Sequence, residues 1–272
     1  MSATAVSEVS LERSAPVLQT RQRLVVAWQH PINRQIEPVG FLAVTNGLHT
    51  FEYVANVRQI DGFRPLVGFP DLERRYSSGF LFPLFAQRAM DPRRSDYERY
   101  IRGLGLEPDA DPWEQISRSR GHRQGDTLQL FPVPRVEQGH VRSTFLVHGH
   151  RHVSARPTWL RGEPLAFTYE QVEQAFSTLG PGSPLRLEDE PENAHNPEAV
   201  LTVSGGGVPV GYVPDLLVHD LHRLEEITSV RATVAHVNGP EAPSHMRLLV
   251  NLAADDAGDF EFFTGPRWES LA

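Results

Sequence analysis

LRLEDEPENAHNPEAVLTVSGGGVPVGYVP, residues 185–214, is the stretch of this sequence that decides the fold. Its first three residues alternate apolar and polar, as a half-buried β-strand does. A polar loop, residues 188–198, follows, and then two apolar segments, 199–203 and 208–213, flank Ser-Gly-Gly-Gly. That arrangement predicts a β-hairpin, because glycine adopts the positive φ of a tight turn at little cost. The polar loop would then sit on a rigid β support, where binding residues commonly lie.

The order and spacing of these segments resemble the HIRAN domain, a small β-rich module. The family core reads apolar-x-apolar, then E-P-x-N-x-x-D/N-x-x-A-V, then V-G-Y-V-P. This chain has Leu185–Leu187, Glu190–Val200 and Val210–Pro214 in that order. The resemblance implies a small β-barrel with one or two helices over residues 144–254. The side chains expected in its core are those of Val200, Leu201, Val203, Val210 and Val213.

The resemblance also implies a ligand. HIRAN domains attached to fork-remodelling ATPases bind single-stranded DNA at its free 3′ end. Matched position by position, the residues that would contact DNA here are Arg151, His152, Asn193, His195 and Asn196. Arg151 and Asn193 match the family in type, whereas the two histidines replace tyrosines and Asn196 replaces an aspartate. A histidine ring still stacks on a base, although more weakly, and asparagine keeps an acceptor oxygen.

The same residues have purely structural alternatives. Asn193 and Asn196 can brace turns, since asparagine side chains bond neighbouring backbone groups. Arg151 can pair with the acidic cluster Glu188–Glu190 and never meet a phosphate. Gly211, Tyr212 and Pro214 are expected to be structural.

His148, His150 and His152 form a further pattern. The segment Thr144–His150 is expected to be a strand, and alternate residues of a strand share one face. The three imidazoles could then hold a metal ion, which makes a histidine-based metal hydrolase a weaker functional alternative. The sequence has no G-x-S-x-G, H-E-x-x-H or phosphate-binding loop. We therefore expect a protein that is not an enzyme and needs no cofactor.

The first half of the chain is also rich in β-like patterns. The predicted strands are residues 24–28, 39–44, 50–54 and 127–131. Asn46-Gly47 lies between the second and third of them and favours a hairpin turn. Two helices are expected before the last strand, and each has a capping-box signal at its start, Ser95–Glu98 and Asp111–Glu114.

Residues 22–134 resemble the N-terminal subdomain of HipA-type proteins. The matching segments are Pro38–Leu42, Phe51–Tyr53, Pro65–Pro70, Phe80–Phe85 and Arg120–Asp126. A HipA kinase continues into a large catalytic region, whereas this chain continues into the HIRAN-like half and has no lysine to bind ATP. The resemblance implies an accessory protein that acts on a separate HipA-type kinase partner, in a toxin–antitoxin or defence context.

Composition narrows the function classes. The chain has no cysteine and no lysine, so its 26 basic residues are all arginine. Disulfides, thiolate zinc sites, thiol nucleophiles, P-loops and Schiff-base chemistry are thereby excluded. No apolar run is long enough to span a membrane, and the first residues lack the pattern of a secretory signal. We expect a cytoplasmic protein with no membrane partner.

Charge is distributed unevenly. Residues 1–141 contain 17 Arg and 16 Asp or Glu, giving +1, whereas residues 142–272 contain 9 Arg and 18 Asp or Glu, giving −9. A surface that grips the DNA backbone is usually basic. The acidic second half therefore disfavours tight non-specific DNA binding and favours the alternative of a protein-interaction module. The retained Arg151 and Asn193 favour non-catalytic binding of single-stranded nucleic-acid ends, which is the leading expectation.

The expected architecture is α+β with two domains. The predicted parts are a disordered lead-in (1–21), an antiparallel sheet with helices (22–134), a linker (135–143), a HIRAN-like barrel (144–254) and a tail (255–272). Within the barrel region, helices are expected at 169–179 and after Asp215, and further strands at 230–237 and 246–252. The acidic part of the tail, residues 255–259, is expected to be exposed.

Overall fold

The computed structural model of the protein describes residues 21–121 and 127–272. Within these ranges the chain is α+β, with antiparallel sheets and six α-helices. The predicted lead-in, apart from Arg21, and residues 122–126 of the segment that resembles HipA-type proteins lie outside the described residues. Across the described ranges, no helix combines the length and apolarity that crossing a bilayer requires.

The first half forms a five-stranded antiparallel sheet. Its strands are β1 (Gln22–Gln29), β2 (Ile36–Thr45), β3 (Leu48–Tyr53), β4 (Tyr76–Ser78) and β5 (Leu128–Pro132), and its helices are α1 (Pro83–Ala86), α2 (Tyr97–Gly103) and α3 (Pro112–Ser119). The strand order is β4-β3-β2-β1-β5. The predicted hairpin between β2 and β3 is confirmed, since Asn46 and Gly47 both have positive φ (50° and 76°), as a type I′ turn requires.

One of the two predicted capping boxes is confirmed. At the start of α3, the Asp111 carboxylate accepts a hydrogen bond from the Glu114 backbone N–H (2.8 Å), and the Glu114 carboxylate accepts from the Asp111 N–H (2.9 Å). The box expected at Ser95–Glu98 is wrong. The residue before α2 is Asp96, and its carboxylate accepts from the Arg94 guanidinium (2.9 Å) instead of capping the helix.

The second half contains the remaining strands and helices. They are β6 (Arg135–Glu137), β7 (His140–Leu146), α4 (His150–Ala155), β8 (Thr158–Leu160), β9 (Glu163–Leu165), α5 (Tyr169–Ser177), β10 (Pro184–Asp189), β11 (Val200–Val203), β12 (Pro209–Tyr212), α6 (Asp215–Glu225), β13 (Val230–Val237) and β14 (Leu248–Ala254). Seven strands form one antiparallel sheet in the order β12-β11-β10-β13-β14-β7-β6, and β8 pairs with β9 alone in a second sheet.

The structure corrects two expectations for the start of this half. Residues 135–143, expected to be a linker, are a hairpin of β6 and β7, because Gln138 and Gly139 have positive φ (52° and 78°) and reverse the chain. The strand expected over Thr144–His150 ends at Leu146. Gly149 then adopts the left-handed conformation (φ 60°), and α4 begins at the next residue.

The barrel expected for the second half is not closed within the described residues, since the ladder ends at β12 and β6. The terminal strand β12 also meets the segment after β7 at one antiparallel bridge, where the backbones of His148 and Tyr212 exchange two hydrogen bonds of 2.9 Å. The predicted core is confirmed. Each of its five side chains is at most 1% exposed: Val200, Leu201, Val203, Val210 and Val213.

A continuous hydrophobic cluster connects the two halves. Val25 and Phe41 of the first sheet belong to it, together with Val141 and Val250 of the second. The intervening β1 residues face the other way, since Leu24 packs in a separate cluster on the opposite face of the first sheet. The first sheet is therefore covered on both faces, and the two predicted domains share one core.

Residues 255–272, expected to be a tail, pack against both halves. Buried aromatic residues in this segment are Phe260, Phe262 and Phe263. The Trp268 ring lies 5.8 Å from the ring of Phe41, and the Leu271 N–H donates to the Tyr53 carbonyl (3.0 Å). The segment is thus part of the folded core, although its acidic residues Asp256 and Asp259 are exposed as expected.

Replacing Gly211 with alanine should strongly destabilise the fold. Gly211 has φ 137°, and an added Cβ would lie 2.3 Å from Val147 Cγ1 and 2.5 Å from the His148 carbonyl oxygen. We expect the free energy of unfolding in urea to fall by about 3 kcal/mol or more. Gly205→Ala in the adjacent turn meets open space and should stay within about 0.5 kcal/mol of the parent protein. Equal unfolding midpoints for the two variants would contradict this packing.

Candidate nucleic-acid interface

The short helix α4 presents two of the candidate DNA-binding residues to solvent. Arg151 and His152 are both exposed. Gly149, just before the helix, lies against the ring of Tyr212, because an added Cβ there would be 3.1 Å from Tyr212 Cδ2. The helix is thereby held beside β12.

The three histidines of this region do not share a face, which corrects the metal-site expectation. His148 lies in the extended segment after β7, whereas His150 and His152 are on α4. His150 is buried with its ring 5.8 Å from that of Phe176. Burial, and then the nearby charges of Arg120 and His245, hold the pKa of His148 well below its usual value. In the described part of the chain, no group of three or more His, Cys, Asp or Glu residues is arranged to hold a metal ion.

A buried carboxylate organises the polar loop. Glu190 is 1% exposed. Its carboxylate accepts hydrogen bonds from the Trp159 backbone N–H (2.8 Å), the Asn193 side-chain amide (2.5 Å) and the Tyr212 hydroxyl (3.0 Å). The loop is therefore fixed at one point to both β8 and β12.

Asn193 and Asn196 brace this loop from inside. Asn193 is buried, and its side-chain oxygen accepts from the backbone N–H groups of His195 (3.0 Å) and Asn196 (3.3 Å). The Asn196 oxygen accepts from the Glu198 N–H (2.9 Å), and its amide donates to Asp215 (3.2 Å). Both side chains thus have the turn-bracing contacts that were their structural alternative. His195, by contrast, is exposed at the surface of the loop.

The alternative role of Arg151, pairing with the acidic cluster, is not seen. The Glu188 carboxylate lies 3.2 Å from Arg161 and 3.0 Å from Arg186, and Glu190 is satisfied by the donors described above. Among the described residues, Arg151 makes no ion pair with Glu188, Asp189 or Glu190. Its guanidinium remains available to a ligand.

Tyr212 connects the loop to α4, which confirms the structural role expected for it. Burial, followed by the charge of Glu190 and their hydrogen bond, raises the pKa of Tyr212 to about 12. The charge of Arg156, the residue after α4, opposes this rise in the pKa of Tyr212. The sequence signal for this cluster was the Glu190-Pro191-x-Asn193 pattern. In this pattern the glutamate lies three residues before the asparagine to which it is hydrogen-bonded.

Comparisons with known proteins give partial likenesses. No protein-family model and no curated protein matches the sequence. The crystal structure of a protein from Lactobacillus plantarum is 15% identical, with a TM-score of 0.31, over 43% of this chain and 97% of that one. The crystal structure of the HIRAN domain of human HLTF is 10% identical, with a TM-score of 0.26, over 45% of this chain and 77% of that one.

Tyr212→Phe should change the spectrophotometric titration of the tyrosines, because it removes a buried phenol. Because the folded-state pKa is raised from 10.0 to about 12, the stability that Tyr212 contributes is fully present below pH 10 and is lost as pH rises through about 12. The pKa of Tyr53 is also raised to about 12, and burial raises the pKa of Tyr100, so the substitution should reduce, without abolishing, the late-ionising component of the phenolate absorbance. It should also cost about 1–3 kcal/mol at neutral pH, since Glu190 loses a donor.

Tyr169→Phe, at an exposed tyrosine, is the matched control. It should leave the late component unchanged. An unaltered late component in Tyr212→Phe would show that the phenol is not held by Glu190.

Proposed function

We propose that this chain is a non-catalytic nucleic-acid-binding protein that recognises the 3′ ends of single-stranded DNA through its HIRAN-like half. One observation carries the proposal. The Glu190 cluster fixes the polar loop and Tyr212 beside α4, while Arg151, His152 and His195 remain exposed. Rigidly supported, solvent-facing side chains of these types suit a site that holds a strand end.

Each exposed side chain has a matching task. The Arg151 guanidinium can bond the oxygens of a phosphodiester bidentately. His152 and His195 offer flat rings on which terminal bases stack. Asn193 contributes indirectly in this proposal. Its side chain holds the backbone of His195 in place and does not contact the DNA. The site resembles that of the HIRAN family in Arg151 and in the position of the loop. Asn193 and Asn196, however, hydrogen-bond to the loop backbone.

The acidic charge of the second half fits a site with few phosphate contacts. Non-specific binding depends on many arginine–phosphate contacts and falls steeply with salt. Residues 142–272 carry a net charge of −9, so affinity has to come from a few specific contacts. A shallow salt dependence is therefore expected.

Arg151→Ala should weaken binding of a fluorescent single strand with a free 3′-OH at least about tenfold, which corresponds to roughly 1.4 kcal/mol. Fluorescence anisotropy across a salt series measures it, with a 3′-phosphate strand and a blunt duplex as competitors. We expect the 3′-OH strand to be preferred. Arg64→Ala, at an exposed arginine of the first half, is the charge-matched control and should bind as the parent does.

Two results would contradict end recognition. One is absence of binding to all three DNAs at micromolar protein. The other is equal loss of affinity in Arg151→Ala and Arg64→Ala, which would indicate a general charge effect.

A second candidate function is a protein-interaction module that binds and regulates a HipA-type kinase. Phe80 and Val67 in the first half are each 84% exposed, and an exposed aromatic ring can anchor a protein partner. Both lie in segments that carry the resemblance to HipA-type proteins. The acidic second half also suits a protein partner better than a polyanion.

Phe80→Ser should reduce retention of a HipA-type kinase on the immobilised protein if this second function holds, because an apolar anchor is lost. Ile227→Ser, at an exposed isoleucine of the second half, is the control and should retain the kinase fully. Capture that is insensitive to both substitutions would place the contact elsewhere.

A further inference from the structure

A cleft of about 1230 Å³ lies on a different part of the molecule from the candidate nucleic-acid interface. Three segments form most of its walls: the start of β1, the connection from β5 through β6, and residues 256–269. Phe41 of β2 and Trp113 and Ser117 of α3 complete them. None of Arg151, His152, Asn193, His195 or Asn196 contributes to its walls. The cleft is larger than the roughly 300–1,000 Å³ of pockets that hold small ligands.

Arg23 is a cleft residue whose side chain has a hydrogen-bond donor without an acceptor among the described residues. Its guanidinium lies 3.9 Å from the centre of the Phe41 ring, and its buried Nε has no hydrogen-bond partner among the described residues. Burial, and then the like charge of Arg21, lower the pKa of Arg23, which Glu52 and Glu261 oppose. The buried Nε is out of reach of a ligand, but a carboxylate bound in the cleft can accept hydrogen bonds from the terminal N–H groups of the same guanidinium.

An open strand edge faces the same cleft. Within the described residues β6 pairs with β7 alone and is the last strand of its sheet. Glu137 and His140 flank the two-residue Gln138-Gly139 turn, so they form the hydrogen-bonded pair of this hairpin. The N–H and C=O of Val136 therefore point away from β7, where no strand lies beside them. Such an edge can accept an extended peptide as an added strand.

The charges of the cleft select among ligands. Five acidic residues line it: Glu137, Asp256, Asp259, Glu261 and Glu269. The arginines that line it are Arg21, Arg23 and Arg135, and Arg21 lies 4.0 Å from Glu52. A polyanion such as DNA would be repelled by the acidic wall, whereas a peptide that combines one carboxylate with basic side chains satisfies both sets of charges.

We propose that this cleft binds an extended, basic peptide segment of a partner protein. The segment adds to the edge of β6 through the backbone of Val136, places a carboxylate on Arg23, and directs basic side chains to the acidic wall. This inference is independent of DNA binding, because the two sites share no residue.

The test uses the full-length protein, immobilised, and a pool of randomised octapeptides with acetylated amino termini and free carboxylates. Peptides retained by the protein are identified by mass spectrometry, resynthesised with a fluorophore and titrated by anisotropy. We expect enrichment of peptides that contain Lys or Arg. We also expect Arg23→Gln to weaken binding at least about tenfold, as loss of a charge-assisted hydrogen bond does.

Two further variants sharpen the test. Val136→Pro removes the outward N–H while leaving the β6–β7 ladder bonds, since proline is tolerated on an edge strand when its nitrogen faces outward; it should also weaken binding. Arg64→Gln should bind as the parent does. Thermal unfolding of each variant establishes that the fold is retained.

Three outcomes would overturn the proposal: no peptide retained above the level of a blank matrix, equal binding by folded Arg23→Gln, or enrichment of acidic peptides only. Displacement of a bound peptide by single-stranded DNA would show that the sites are not separate. A failure of DNA binding with peptide binding intact would count against the proposed function alone.

Discussion

A single buried carboxylate imposes the arrangement of the second half. A charge that is removed from water must be met by hydrogen-bond donors, or it destabilises the fold by several kcal/mol. The donors to Glu190 come from β8, from its own loop and from β12, so three segments that are distant in sequence have to meet there. The exposed residues around this point inherit their positions from it. Their geometry is a consequence of satisfying one internal charge.

Much of the fold could be predicted because its signals are local. The alternation at Leu185–Leu187, the glycine-rich turn after β11 and the Asp111 capping box each depend on residues close together in sequence, and all are present. The errors in predicting strands and linkers arose at residues that are compatible with two local conformations. Gly139 suggested a linker but forms a hairpin turn, and Gly149 ends a strand that hydropathy alone would continue. The docking of Phe260 and its neighbours depends on contacts with both halves, which no local pattern encodes.

The sequence predicted which residues form the candidate site better than it predicted what each side chain does there. Matching residue types located the loop and α4, but type does not determine whether a side chain faces solvent. Asn193 and His195 are two positions apart, yet one is buried in a bracing network and the other is exposed. The Pro191-x-Asn193 pattern distinguishes Glu190 from its acidic neighbours Glu188 and Asp189, but it does not show that the Glu190 carboxylate is buried against Tyr212. Tertiary packing assigned these roles.

The C-terminal residues 268–271 pack on the first sheet, so this sheet cannot be completed until the whole chain has been synthesised. The Leu271 N–H donates to the Tyr53 carbonyl and the Ala55 N–H donates to the Glu269 carbonyl, and the rings of Trp268 and Phe41 lie together. On the ribosome, β1–β3 therefore emerge long before the residues that cover one of their faces. Such long-range closure is slow, and the uncovered face of Phe41 would be open to other nascent chains meanwhile. That face is covered only after the second half has been made.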